Sequence, residues 1–126
     1  MNTPENLKIL LVDDSDFSRR MIKKMLEEAG LNVVAEARDA DEAMEMIQEH
    51  SPDLVITDIV MPKISGIELT TKITKQFPDI SVIVISSLSQ EHIVLEAIGA
   101  GASDFVGKPI QSEQLIDSIN KVAASR

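Results

Sequence analysis

The sequence predicts an α/β protein built on a doubly wound, five-stranded parallel sheet with helices on both faces. Three observations carry that expectation. Five short apolar runs of strand length are bounded by turn residues, segments with apolar residues three and four apart lie between them, and the connections are short. Regular alternation of this kind makes neighbouring strands parallel, because a right-handed crossover returns the chain in the same direction, and it distributes the helices over both faces.

The first run, Lys8 to Val12 (KILLV), is continuously apolar, the mark of a strand buried on both faces, and it stops at Asp13-Asp14. Beyond it Phe17, Met21 and Met25 recur at an interval of four, with Ile22, Leu26 and Ala29 alongside, as the expected buried stripe of a helix. Arg19, Arg20, Lys23, Lys24, Glu27 and Glu28 are expected on its wet side, and Gly30 stands where a left-handed cap belongs. Asn32 to Ala37 is a more polar second strand. Asp39 with Glu42 resembles a capping box for the next helix, whose stripe is Ala43, Met44 and Ile47. Pro52 ends it, having no amide hydrogen and disfavouring helical geometry in the residue before it.

Leu54 to Thr57 forms the third strand and delivers Asp58 at its end. After Gly66, the positions Leu69, Ile73 and Phe77 hold an interval of four until Pro78. Ser81 to Ile85 (SVIVI) is the fourth strand and ends in Ser86-Ser87. Ser89 is the expected cap of a helix carrying Ile93, Val94, Ala97 and Ile98, which Gly99 and Gly101 break. Ser103 to Gly107 makes a short fifth strand that runs into Lys108-Pro109, and Leu115, Ile116, Ile119 and Val122 line a last helix after Ser112.

Composition bounds the function. Residues 1–126 suit a single domain. Twelve basic against 21 acidic residues leave a net charge of -9, which repels phosphate backbones and anionic membranes, so neither nucleic acid nor a membrane is an expected partner. With no basic and apolar leader in MNTPENLK, and no run near the roughly 18 residues of a membrane span, a cytoplasmic location is expected. The absence of cysteine excludes a thiol nucleophile and any thiolate metal site. His50 and His92 have no second histidine or cysteine near them, and the methionines read as core filler or loop packing.

Ligands of open parallel sheets bind outside the carboxyl ends of the strands, where Asp13, Asp14, Asp58, Ser86 and Lys108 all fall. Three carboxylates about 4 to 5 Å apart repel by roughly 4 kcal/mol per pair at an effective dielectric of about 20. Lys108 supplies one opposing charge. Oxygen donors select hard cations, and so few of them suit Mg2+, which keeps several waters and shares its shell with phosphate. With Mg2+ the site is neutral, and a carboxylate there can attack phosphorus, with Lys108 and the Ser86 hydroxyl on the transferring oxygens.

These residues resemble the receiver domain of two-component response regulators, most closely the stand-alone chemotaxis-type regulators. The resemblance rests on Asp13-Asp14 after KILLV, Asp58 in DIVMPKISG, Ser86 after VIVI, and GAGASDFVGKP ending in Lys108-Pro109. It implies the flavodoxin-like strand order 2-1-3-4-5. It also implies a phosphorylation-controlled switch in which Asp58 accepts a phosphoryl group from a sensor histidine kinase or phosphotransfer protein. Asp13, Asp14, Asp58 and the backbone carbonyl of Val60 would hold Mg2+, Ser86 and Lys108 would bind the phosphoryl group, and Lys108-Pro109 would be cis. Ser86 and Phe105 would carry the switch to the face made by the fourth helix, fifth strand and fifth helix, where a protein target docks.

Such a domain promotes only its own phosphorylation and dephosphorylation and is not otherwise an enzyme. The expected state is a monomer, with dimerisation on phosphorylation as the alternative. Other readings are a phosphorelay intermediate, a phosphate sink or a pseudo-receiver that only docks partners; a flavin-binding reading is disfavoured because the chain has no Trp or Tyr. Val60 and Leu88, two residues beyond Asp58 and Ser86, are apolar and are expected to slow the loss of phosphate.

Overall fold

The structure is a computed structural model and describes residues 3–126. After a short 3-10 turn at Pro4–Asn6 the chain alternates strictly: β1 (Lys8–Val12), α1 (Asp16–Glu28), β2 (Asn32–Ala37), α2 (Ala40–His50), β3 (Leu54–Asp58), α3 (Gly66–Gln76), β4 (Ser81–Ser86), α4 (Glu91–Gly99), β5 (Asp104–Gly107) and α5 (Ser112–Ala124). All strand pairs are parallel, in the order β2-β1-β3-β4-β5. The order therefore reverses at β1, which has β2 on one side and β3 on the other. That reversal opens the crevice in which such sheets bind ligands.

Residues alternate between the two faces of each strand, so every central strand feeds two cores. Ile9, Leu11, Ile56 and Ile83 join Ile22 and Leu26 of α1 and Leu115 and Ile119 of α5 on one side. Leu10, Val12, Val55 and Val84 join Ala43 and Ile47 of α2, Leu69 and Ile73 of α3 and Ala97 of α4 on the other. Covering on both faces explains why β1, β3 and β4 are apolar without interruption. Local signals behave as their chemistry dictates: Ser15, Asp39 and Ser65 cap their helices by accepting from the amides of Ser18, Glu42 and Glu68. Gly30 takes the left-handed conformation with φ of 81°.

Several expectations are corrected. Phe17 is 74% exposed and Met21 45% exposed, while Ile22 and Leu26 are the buried residues of α1. At about 100° per residue, Phe17 lies roughly 160° around the helix from the middle of the Ile22–Leu26 pair, so one face could not bury both sets. Gln90, not Ser89, occupies the cap position of α4, without a side-chain hydrogen bond. Of the four residues expected to line α4 only Ala97 is fully covered, and Ile98 is 46% exposed. β5 begins at Asp104, one residue later than expected, and the Ser103 amide before it donates to the Val82 carbonyl at 2.7 Å. α5 begins at Ser112 itself and not after it, with Gln111 at the cap position.

Candidate functional site

In the β1–β3 register Val12 lies beside Thr57, so the next residue of each strand brings Asp13 level with Asp58. Both are buried, at 2% and 8% exposure, while Asp14 is exposed. One carboxylate oxygen from each of Asp13, Asp14 and Asp58 lies within 4.8 Å of the others. Gly66 makes that crowding possible on the β3 side. Its amide donates to the Ile59 carbonyl at 2.8 Å, and a Cβ at this position would overlap the Asp58 carbonyl oxygen.

Each buried oxygen has a distinct environment. Asp58 Oδ1 accepts from the Ile59 amide at 2.7 Å and Oδ2 from Lys108 Nζ at 3.0 Å. Asp13 Oδ1 accepts from the Ser15 amide at 2.9 Å. Asp13 Oδ2 is buried without a hydrogen-bond partner among the described residues, with Lys108 Nζ 3.6 Å away. A buried carboxylate oxygen left in that state is costly unless a cation completes it. The residues therefore fit a small hard cation: all donors are oxygen, one is orphaned, and the net charge of three acids and one lysine is negative.

Lys108 is placed from β5 by its backbone: its amide donates to the Ser86 carbonyl at 2.8 Å, and the bond to Pro109 is cis. Burial would lower the pKa of its ammonium, but the hydrogen bond and charge of Asp58, with the charge of Asp13, outweigh burial and hold it above its ordinary value. Ser86 is fully buried, and its Oγ accepts from the Leu88 amide at 2.9 Å; among the described residues no acceptor takes its hydroxyl proton. At the rim, Val60 is 60% exposed and Leu88 37% exposed. Phe105 is half-buried against the core under α2, α3 and α4.

Two features were not legible in the sequence. Arg19, expected on the wet side of α1, has a side chain only 12% exposed and donates to the Asp13 carbonyl at 2.7 Å. The second is a groove of about 230 Å³ beside Lys108, lined by Phe17, Met21, Met25, Pro109 and Ile110. A charged residue at an unremarkable helical position carries no signal of the backbone carbonyl it will meet. The groove was foreshadowed by the Phe17–Met21–Met25 interval, which reads equally well as core.

A family model for the response regulator receiver domain matches residues 9–120. The chemotaxis protein CheY of Thermotoga maritima is 41% identical over 116 residues, covering 92% of this chain and 97% of the relative. CheY of Bacillus subtilis is 44% identical over 114 residues, covering 90% and 95%. Among solved structures, the CheX-CheY-BeF3-Mg+2 complex from Borrelia burgdorferi superposes with a TM-score of 0.88 at 30% identity, covering 92% of this chain and 88% of that one. Among the described residues no helix is long and apolar enough to cross a membrane.

Proposed function

This chain belongs to the response regulator receiver domain family, and we propose that Asp58 is the residue through which it works as a phosphoacceptor switch in two-component signalling. The observation that carries this reading is the arrangement around one buried carboxylate: Asp58 beside Asp13 and Asp14, with Lys108 on its Oδ2 at 3.0 Å.

A carboxylate oxygen of Asp58 attacks the phosphorus of a phosphohistidine on a partner kinase or phosphotransfer protein. A P–O bond forms, the P–N bond breaks, and the imidazole nitrogen keeps the bonding pair and is protonated from solvent. Lys108 gives up part of its contact with Asp58 to the transferring oxygens. Ser86, whose hydroxyl proton is uncommitted, donates to another. Asp13, Asp14 and Asp58, with the backbone carbonyl of Val60, are the proposed holders of Mg2+, and the solved relative that contains BeF3 and Mg2+ supports that choice of metal. When bound, that ion supplies neutralising charge to the transferring oxygens.

Residues 1–126 act as one receiver unit in this reading, in the cytoplasm, as a monomer that dimerises, if at all, on phosphorylation. The domain catalyses no reaction but its own phosphorylation and dephosphorylation. Movement of the Ser86 hydroxyl toward the phosphoryl group and inward turning of Phe105 alter the α4-β5-α5 face, where the exposed Leu95 and Ile98 offer a protein target apolar contacts. The test is labelling by a small phosphodonor. Wild type should take up phosphate only with Mg2+ and Asp58→Asn should take up none; label that persists in Asp58→Asn would refute the assignment.

A further inference from the structure

We propose that Arg19 is a positioning residue for the metal-holding acids, its guanidinium clamping the Asp13–Asp14 peptide so that the two carboxylates stay aimed at the cation against their mutual repulsion. The inference rests on the reading of this cluster as a Mg2+ site.

The guanidinium is committed in three directions. Nη1 donates to the Asp13 carbonyl oxygen at 2.7 Å, Nε to Glu36 Oε1 at 2.9 Å, and Nη2 to Asp16 Oδ1 at 2.7 Å. It thus joins the end of β1 to β2 and to the first turn of α1. Glu36 is held from its other oxygen by Lys23 at 3.2 Å, so the anchor itself is braced. The amide of Asp13 donates to the Ala37 carbonyl at 3.1 Å, and its Oδ1 is held by the Ser15 amide. Arg19 therefore supplies the remaining constraint, on the carbonyl that fixes the plane of the peptide leading into Asp14. Asp14 is exposed, and its direction depends on that backbone. Partners that orient metal ligands in this way typically change affinity about 10- to 100-fold when removed.

Charge and geometry predict opposite signs here. Removing a cation near an acid cluster should strengthen Mg2+ binding if Arg19 acts only through its field. Removing a clamp should weaken it. Calorimetric titration of Mg2+ into the full chain separates these, with melting temperature measured in parallel. Arg19→Met, which keeps the aliphatic packing, is expected to lose about tenfold in Mg2+ affinity. Arg19→Lys keeps the charge but has one ammonium for three acceptors, and is expected to lose at least about threefold.

Tighter binding in Arg19→Met, or wild-type affinity in Arg19→Lys, overturns the proposal, as does a lowered melting temperature with unchanged affinity. If Arg19→Met does not fold, Arg19→Lys decides. A wild-type chain that takes up no Mg2+ overturns the metal reading and the clamp with it, whereas unchanged variants beside a binding wild type overturn the clamp alone.

Discussion

Val60 and Leu88 stand at the mouth of the site, 60% and 37% exposed, and neither side chain can orient a water toward phosphorus. Replacing them together, Val60→Asn with Leu88→Glu, should shorten the lifetime of the phosphorylated chain on the order of tenfold, read as decay of label after the donor is removed. An unchanged or longer lifetime would show that the rim does not gate water. Gly66 offers a second test at this scale. Because a Cβ there meets unyielding backbone at Asp58, Gly66→Ala should cost about 3 kcal/mol in denaturant unfolding. The acids and Lys108 were legible because each ends an apolar run, and that position puts them all at the carboxyl edge of the sheet. Arg19 was not: Asp16 lies one helical turn before it on α1, but Asp13 and Glu36 meet it only through the packing of α1 against the ends of β1 and β2.

Among the elements, β3 and β4 were easiest to read, since burial on both faces demands uninterrupted apolar residues. α1 was misread because two apolar sets share it, and interval alone does not say which faces the sheet. β5 is held to α5 by a polar tie that no periodicity reveals: Asp104 accepts from Ser118 Oγ at 2.6 Å and from the Phe105 amide at 2.9 Å. Partial burial pushes the Asp104 carboxyl up, but these hydrogen bonds and Lys121 outweigh it and hold the carboxyl below its ordinary value near 3.8. A depressed acid stabilises the fold above its unfolded value, and that contribution fades as pH falls through the folded one. Ser118→Ala should therefore cost about 1 kcal/mol at neutral pH, and the gap to wild type should narrow as unfolding is measured at progressively lower pH below 3.8. A gap independent of pH would assign the loss to packing.

For the molecule as a whole, the strand order matters most. Periodicity predicts five parallel strands but not their sequence across the sheet; the order 2-1-3-4-5 followed only from the family resemblance. That order sets Asp13 and Asp14, just beyond β1, against Asp58 at the end of β3, gathering three acids around one lysine, and so a functional site opposes the stability of its own scaffold. Asp14 is the exposed member, and Asp14→Asn removes repulsion without opening the core. Solvent screening leaves that relief at about 1 kcal/mol, so without metal the variant should melt about 3 to 5 °C above wild type. At Mg2+ a hundredfold above its dissociation constant, wild type gains about 2.7 kcal/mol, or roughly 10 °C, while the variant, short of one holder, gains much less. The two melting curves should exchange order between chelator and saturating Mg2+. If the order is the same in both, Asp14 either does not strain the metal-free fold or does not hold the ion, and the account of the acid cluster as one electrostatic unit fails.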